Sequence, residues 1–159
     1  MLGVAMVAPN ILGAMGKLGL LPGRRQKEIV NRARDRLIVQ GLLKRENGFL
    51  RLTPKGKAAI RTLEIRGFEI AQPRRWDGKW RVLIFDIPEY RKSLRDKVRR
   101  TLETIGFVRL QDSVWVYPHD CEDFVALLKA DFKIGKDMLY MIVEELESDR
   151  HLKSHFGIH

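Results

Sequence analysis

The chain has 159 residues, a formal net charge of +10 and one cysteine, Cys121, so an internal disulfide framework is excluded and a reducing cytoplasm is expected. At this length about 68–70% of the unfolded surface would be buried, in one domain or two small ones. The charge is uneven: residues 1–75 hold sixteen Lys and Arg against five Asp and Glu, whereas residues 76–159 hold fourteen against fifteen. A basic half of this kind needs a polyanionic partner, and the asymmetry favours two domains.

The first charged side chain is Lys17, but Pro9, Asn10 and several glycines interrupt the apolar start. A spanning helix needs about 20 apolar residues, and a signal peptide needs a basic start that is missing here. Residues 1–23 are therefore expected to form an apolar helical segment, with a short helix from about Asn10 packing Ile11, Leu12 and Met15 against the next helix. Membrane contact is not expected.

From Arg24 to Gln40, Ile29, Ala33 and Leu37 recur at intervals of four beside Val30, which predicts a helix. Arg25, Arg32, Arg34 and Arg36 fall mostly off that stripe, and Gly41 suits a C-terminal cap. The segments LLKRE and FLRLT flank Asn47-Gly48, a dipeptide that tolerates the positive φ values of a type I′ turn. Thr53-Pro54 then supplies an N-cap and a first-turn proline for a helix to about Arg66. The run RLIVQGLLKRENGFLRLTPKGK, residues 36–57, resembles the second half of a winged helix-turn-helix domain. The resemblance implies that the helix before Gly41 enters the major groove and that the hairpin is a wing. The DNA-binding candidates are Arg24, Arg25, Lys27, Arg32, Arg34, Arg36, Lys44, Arg45, Arg51 and Lys55. Phosphate contacts by such side chains give affinity, and an arginine reaching a guanine edge gives specificity.

Residues 67–75, with Pro73 and Arg74-Arg75, read as a linker. WRVLIFD, residues 80–86, is apolar at consecutive positions and predicts a strand covered on both faces. After Pro88 a helix carries Leu94, Val98, Leu102 and Ile105 on one face and ends at Gly106. FVRL and SVWVY predict two short strands separated by Gln111-Asp112. Asp120 is expected to cap a helix whose core candidates are Phe124, Val125, Leu128 and Phe132. MLYMIVEEL supplies a last strand, and a short helix follows Ser148. The expected fold is α+β: a winged helix over 24–66, then a ferredoxin-like βαββαβ domain over 76–159. In that arrangement two helices cover one sheet face, and the other is expected to be bare and to dimerise.

WDGKWR, VLIFDIPE and GFVRLQDSVWVYP, followed by an acidic helix, are similar to the central domain of the phenylacetate-degradation repressor (PaaX-like) family. That domain is itself similar to CRISPR-associated protein two, a ferredoxin-like homodimer. Full-length repressors of the family continue into a further C-terminal domain, so an acyl-coenzyme A effector is not carried over to this chain.

In the CRISPR-associated relatives, the aspartate ending the first strand is implicated in divalent-metal binding and phosphodiester cleavage, and Asp86 occupies that position. A pair of Asp86 carboxylates across a dimer could hold Mg or Mn. The favoured reading has no catalytic residue and no cofactor; Asp86 instead caps the helix beyond Pro88. His151 and His155, four apart with Glu147 on the same face, have metal-sharing spacing but lack an evident third ligand, so a solvated helix is preferred. His119 and Cys121 read as loop and packing residues. No Gly-rich phosphate loop, serine elbow or CxxC pair is present. These features point to a cytoplasmic, homodimeric DNA-binding transcription regulator of repressor type. The alternative is a metal-dependent endonuclease, or a structural subunit for spacer acquisition, working through Asp86. A third reading is a DNA organiser using the apolar N-terminus.

Overall fold

The structure is a computed structural model that describes residues 24–66 and 75–159. The expected helix over 1–23 and nearly all of the expected linker lie outside the described residues.

The basic half runs α1 (Arg24–Val39), β1 (Leu43–Glu46), β2 (Phe49–Leu52) and α2 (Pro54–Arg66). Gly41 closes α1 at φ +73°, its N–H donating to Ile38 O at 3.0 Å. β1 and β2 pair antiparallel from Leu43↔Leu52 to Glu46↔Phe49. The turn between them is Asn47-Gly48, with φ of +50° and +77°, the two positive values that a type I′ turn demands. Thr53 Oγ accepts the Gly56 N–H at 3.1 Å and donates to Gly41 O at 2.6 Å. One side chain thus caps α2 and fastens it to the base of the hairpin. Such a cap is worth about 1 kcal/mol.

The second half runs β3 (Trp80–Phe85), a 3₁₀ turn (Glu89–Arg91), α3 (Lys92–Ile105), β4 (Val108–Gln111), β5 (Val114–Tyr117), α4 (Glu122–Phe132), β6 (Met138–Val143) and α5 (Arg150–Phe156). The chain is therefore mixed α+β with two antiparallel sheets, and the larger has the strand order β4-β5-β3-β6. Strand alternation sends Leu83, Phe85, Trp115 and Tyr117 toward α3 and α4, where they pack on Val98, Leu102, Phe124 and Leu128. Trp80, Val82, Ile84, Val116 and Leu139 line the opposite face.

That opposite face is not bare, contrary to expectation. Leu146, Leu152, Phe156 and Ile158 fold back onto it, and Trp80 Nε1 donates to Asp149 Oδ2 at 3.1 Å, tethering the start of α5. A seven-residue helix with one fully buried leucine gives little periodic signal in the sequence. Val108, Leu110, Val114, Met141 and Val143 remain only half-buried.

Two boundaries also shift. The β4–β5 turn is Asp112-Ser113. α4 starts at Glu122 with Cys121 at the N-cap, although Asp120 Oδ1 does accept the Glu122 N–H at 3.1 Å.

α4 joins the two halves. Phe124, Val125, Leu128 and Phe132 face the large sheet, while Ala126 and Leu127 pack with Ala33 and Leu37 of α1, Leu43 of β1 and Ile60 of α2. A helix buried on two sides must be apolar over more of its circumference than a surface helix. FVALL at 124–128 meets that requirement.

Candidate nucleic-acid interface

The basic candidates of the first half occupy distinct places. Arg32 is exposed on the outer side of α1. Arg36 donates to Asp123 at the start of α4, and that hydrogen bond and the charge of Asp123 hold the guanidinium above its ordinary pKa. Lys55 Nζ donates to Gln40 O at 2.9 Å. Lys44 and Arg51 are register partners across the hairpin and share Glu46, at 3.1 and 3.0 Å. Arg45 lies 3.7 Å from Asp35, and Arg34 lies 3.9 Å from the same carboxylate. The side chains of Arg24, Arg25 and Lys27 lie outside the described residues. Exposed pairs of this kind contribute only about 0.2–1 kcal/mol each, so these cations can exchange a carboxylate for a phosphate at small cost.

Three of the candidates converge. Arg34, Arg45 and Arg51 line one wall of a cleft of about 1060 Å³ between the hairpin and the second half, and Lys129, Lys133 and Lys136 line the other. The sequence reading missed the three lysines. Their spacing of four and three at a helix end is that of any solvated helix, and only the folded chain sets them opposite the hairpin.

The WDGKWR segment leading into β3 is a closed hydrogen-bonded corner. Gly78 takes φ +75°, which turns the chain so that the Lys79 N–H reaches Asp77 Oδ1 at 3.1 Å. Arg81, buried, spans both Asp77 oxygens at 2.8 and 2.7 Å and also donates to Lys79 O and Pro118 O. Trp76 Nε1 donates to Lys79 O and Pro118 O as well. The corner thereby fixes the entry of β3 against the end of β5.

A family model described as the PaaX protein central Cas2-like domain matches residues 73–154, the span that opens on this corner. The chain belongs to the PaaX family. No curated protein matches it.

Within the Cas2-like domain of this PaaX-family chain, the aspartate at the end of the first strand is not a helix cap. Asp86 is half-buried and its N–H donates to Asp137 O at 2.8 Å, but neither the 3₁₀ turn nor α3 receives a side-chain cap. Pro88, which has no N–H, occupies the position before the 3₁₀ turn and starts it by its fixed φ instead. Asp137 is engaged elsewhere, 3.7 Å from Arg91. His151 Nδ1 lies 2.9 Å from Ser148 O, and the His155 ring packs edge-on against Phe156. Among the described residues no group of three metal-ligating side chains converges, and no described helix is long and apolar enough to cross a membrane.

The acidic start of α4 in this domain holds its most perturbed carboxyl. Glu122 is buried beneath Tyr140, whose hydroxyl donates to Glu122 Oε1 at 3.2 Å. Burial, then the hydrogen bond and charge of Asp120, push Glu122 up to about 7. Burial opposes ionisation of Asp120 too, but the hydrogen bonds from Glu122 outweigh it and leave Asp120 below its ordinary value. Burial likewise raises the Cys121 thiol, which is free and inert there. The folded protein therefore holds a proton on Glu122 that the unfolded chain releases near 4.5, so its stability falls as pH rises from about 4.5 to about 7. Glu122→Gln is expected to remove that dependence and to be the more stable protein at pH 8, by roughly 1–3 kcal/mol. Urea denaturation of both proteins at pH 5 and pH 8 checks this; a difference that is the same at the two pH values would refute it.

Proposed function

We propose that the chain is a duplex-DNA-binding regulator of the repressor type, with residues 24–66 acting as a winged helix and residues 76–159 as a ferredoxin-like body. The observation that carries this reading is the β1–β2 hairpin. Its two strands, joined by a tight two-residue turn, bear Lys44, Arg45 and Arg51, and the Thr53 clamp fastens its base to α2. A rigid cationic hairpin beside a helix with an exposed arginine is the equipment for positioning on phosphates while a helix reads base edges. The βαββαβ element order and the strand order β4-β5-β3-β6 support the ferredoxin-like reading. The half-buried strip of Val108, Leu110, Val114, Met141 and Val143 supports self-association through that half, and a two-fold dimer would recognise a pseudo-palindromic site.

The test is selection of a binding site from random duplexes, followed by salt titration of variants. Arg32→Ala is expected to cost roughly 1–3 kcal/mol on the selected site and to relax its preference. Lys44→Ala or Arg51→Ala should weaken selected and scrambled duplexes alike and flatten the salt slope by about one unit. Arg36 is engaged by Asp123, so Arg36→Ala should change sequence preference less than Arg32→Ala. Unchanged affinity when all four are replaced would overturn the DNA-binding reading, and selection of a single asymmetric site would overturn the dimer.

A second reading rests on Asp86. Because its carboxylate caps neither helix, it is open to a hard cation such as Mg or Mn shared with a second copy of the chain. Metal-dependent cleavage that disappears in Asp86→Ala would replace the regulator with an endonuclease. The regulator reading expects DNA affinity within about twofold of wild type and no cleavage to lose.

A further inference from the structure

We infer that the Cas2-like half is itself part of the DNA interface, with Lys129, Lys133 and Lys136 carrying the phosphate backbone onward from the hairpin. The inference rests on the winged-helix reading of residues 24–66.

The cleft between the hairpin and the second half has cations on both walls, and among the described residues no carboxylate lines it. Its two walls differ in how their charges are met. On the hairpin side, Arg45 and Arg51 already face Asp35 and Glu46, at 3.7 and 3.0 Å, and Arg34 lies beside Asp35. On the opposite side, Lys129, Lys133 and Lys136 make no ion pair among the described residues. These three lysines sit in a half whose charges nearly cancel only with them included, at fourteen Lys and Arg against fifteen Asp and Glu. Three cations on one wall with no ion pair among the described residues make a site that an external polyanion can occupy.

Lys129 adds a second observation. Its stem lies within the cleft, and burial alone lowers its ammonium to about 8. No neighbouring carboxylate offsets that cost, whereas a phosphate would.

Lys133 adds a third. It closes α4 in the left-handed region at φ +54°, a conformation where glycine or asparagine is the usual residue. The cation favours the helix C-terminus electrostatically, and its backbone geometry directs the chain toward Gly135 and Lys136 on the same wall.

Duplex DNA is favoured over a small anion because the opposite wall is the hairpin itself. Arg45 and Arg51 belong both to the wing and to the cleft, and Phe49 stands exposed on β2 and lines the cleft too. A backbone strand held by the wing passes directly in front of the three lysines, whose compact ammonium groups on flexible stems suit phosphates met without fixed geometry. The phosphate path then comprises two elements far apart in sequence, Arg51 and Lys129 being 78 residues apart, with α4 joining them.

The decisive variant is Lys133→Gly with Lys136→Gln. Both side chains are exposed, and glycine fits the left-handed position, so the fold should be retained. In a salt titration of the full chain on duplex DNA, loss of two phosphate contacts should flatten the slope of log affinity against log salt by about two units, equally on selected and scrambled duplexes. Lys129→Gln should flatten it by about one unit more. If Arg51→Ala weakens binding while the lysine variants keep the wild-type slope, the inference fails and the winged-helix reading stands. If the wild-type chain does not bind duplex DNA, the winged-helix reading fails and takes the inference with it. An unchanged slope combined with stabilisation by inorganic tripolyphosphate that the lysine variants lose would assign the cleft to a small anion, which also overturns the inference.

Discussion

Gly56→Ala is expected to destabilise the protein by about 3 kcal/mol, at the upper end of the cost of overpacking a close-packed site. On propensity alone the opposite is expected, because alanine in a helix is favoured over glycine by about 1 kcal/mol. Position 56, in the first turn of α2, reverses the sign. A β-carbon there would lie 2.1 Å from the backbone oxygen of Leu42 and 3.1 Å from Leu52 Cδ2. The Leu42 oxygen has no freedom to retreat, since it accepts the Thr53 N–H at 3.1 Å and lies 3.2 Å from the Thr53 hydroxyl. Relief therefore requires α2 to move away from the base of the hairpin, breaking the Thr53 clamp and opening the shared core at Leu43 and Ile60. For a chain of this size the loss corresponds to a fall in melting temperature of roughly 6–12 °C. Thermal and urea unfolding of the variant check it, and stability equal to or above wild type would show that the helix does not approach the hairpin this closely. A variant that still folds should lose DNA affinity without regaining it at low salt, since the cations would remain but their geometry would not.

The same TPKG segment shows what sequence alone conveys. Thr53 and Pro54 announce a helix start because capping is local chemistry, and Asn47-Gly48 announces its turn because positive φ is local sterics. Gly106 is legible as the end of α3 for that reason, and it adopts φ +107°. WRVLIF is legible as a doubly covered strand because its apolar run has no polar face. The need for glycine at 56 is not legible, because the carbonyl that excludes a side chain is fourteen residues away. Nor is the cover on the far sheet face, where Leu152 and Phe156 belong to a seven-residue helix otherwise polar in sequence. The cations were countable but their partners were not: Arg36 meets Asp123 across 87 residues, and Lys129 faces the hairpin only because α4 packs against α1. Charge counts located the basic half, whereas the cleft draws equally on the half that counts as neutral.

Asp77→Ala should cost about 3 kcal/mol, near the lower end of the 3–5 kcal/mol lost when one partner of a buried ion pair is removed. The reason lies with Arg81, which is 6% exposed and cannot shed its charge. The Asp77 hydrogen bond and charge outweigh the penalty of burial and hold the guanidinium above its ordinary pKa. Without Asp77 it keeps, among the described residues, only the carbonyls of Lys79 and Pro118, and both of these are shared with Trp76 Nε1. Partial exposure of the Asp77 side chain, 48%, lets water replace some of the lost contact and keeps the cost from the top of that range. Asp77→Asn retains an acceptor and should lose less than the alanine variant. Arg81→Met combined with Asp77→Ala should recover part of the loss, because it removes the stranded charge along with its partner. The pH dependence is a separate check. The hydrogen bond from Arg81 holds Asp77 below its ordinary value despite opposing burial, so the pair's contribution is present above the unfolded carboxylate pKa and disappears as pH falls through the depressed one. Wild type should therefore lose stability in acid more steeply than Asp77→Ala. Urea denaturation at neutral and acid pH measures both effects, and a loss below 1 kcal/mol with no recovery in the double variant would mean that the WDGKW corner does not hold β3 through Arg81.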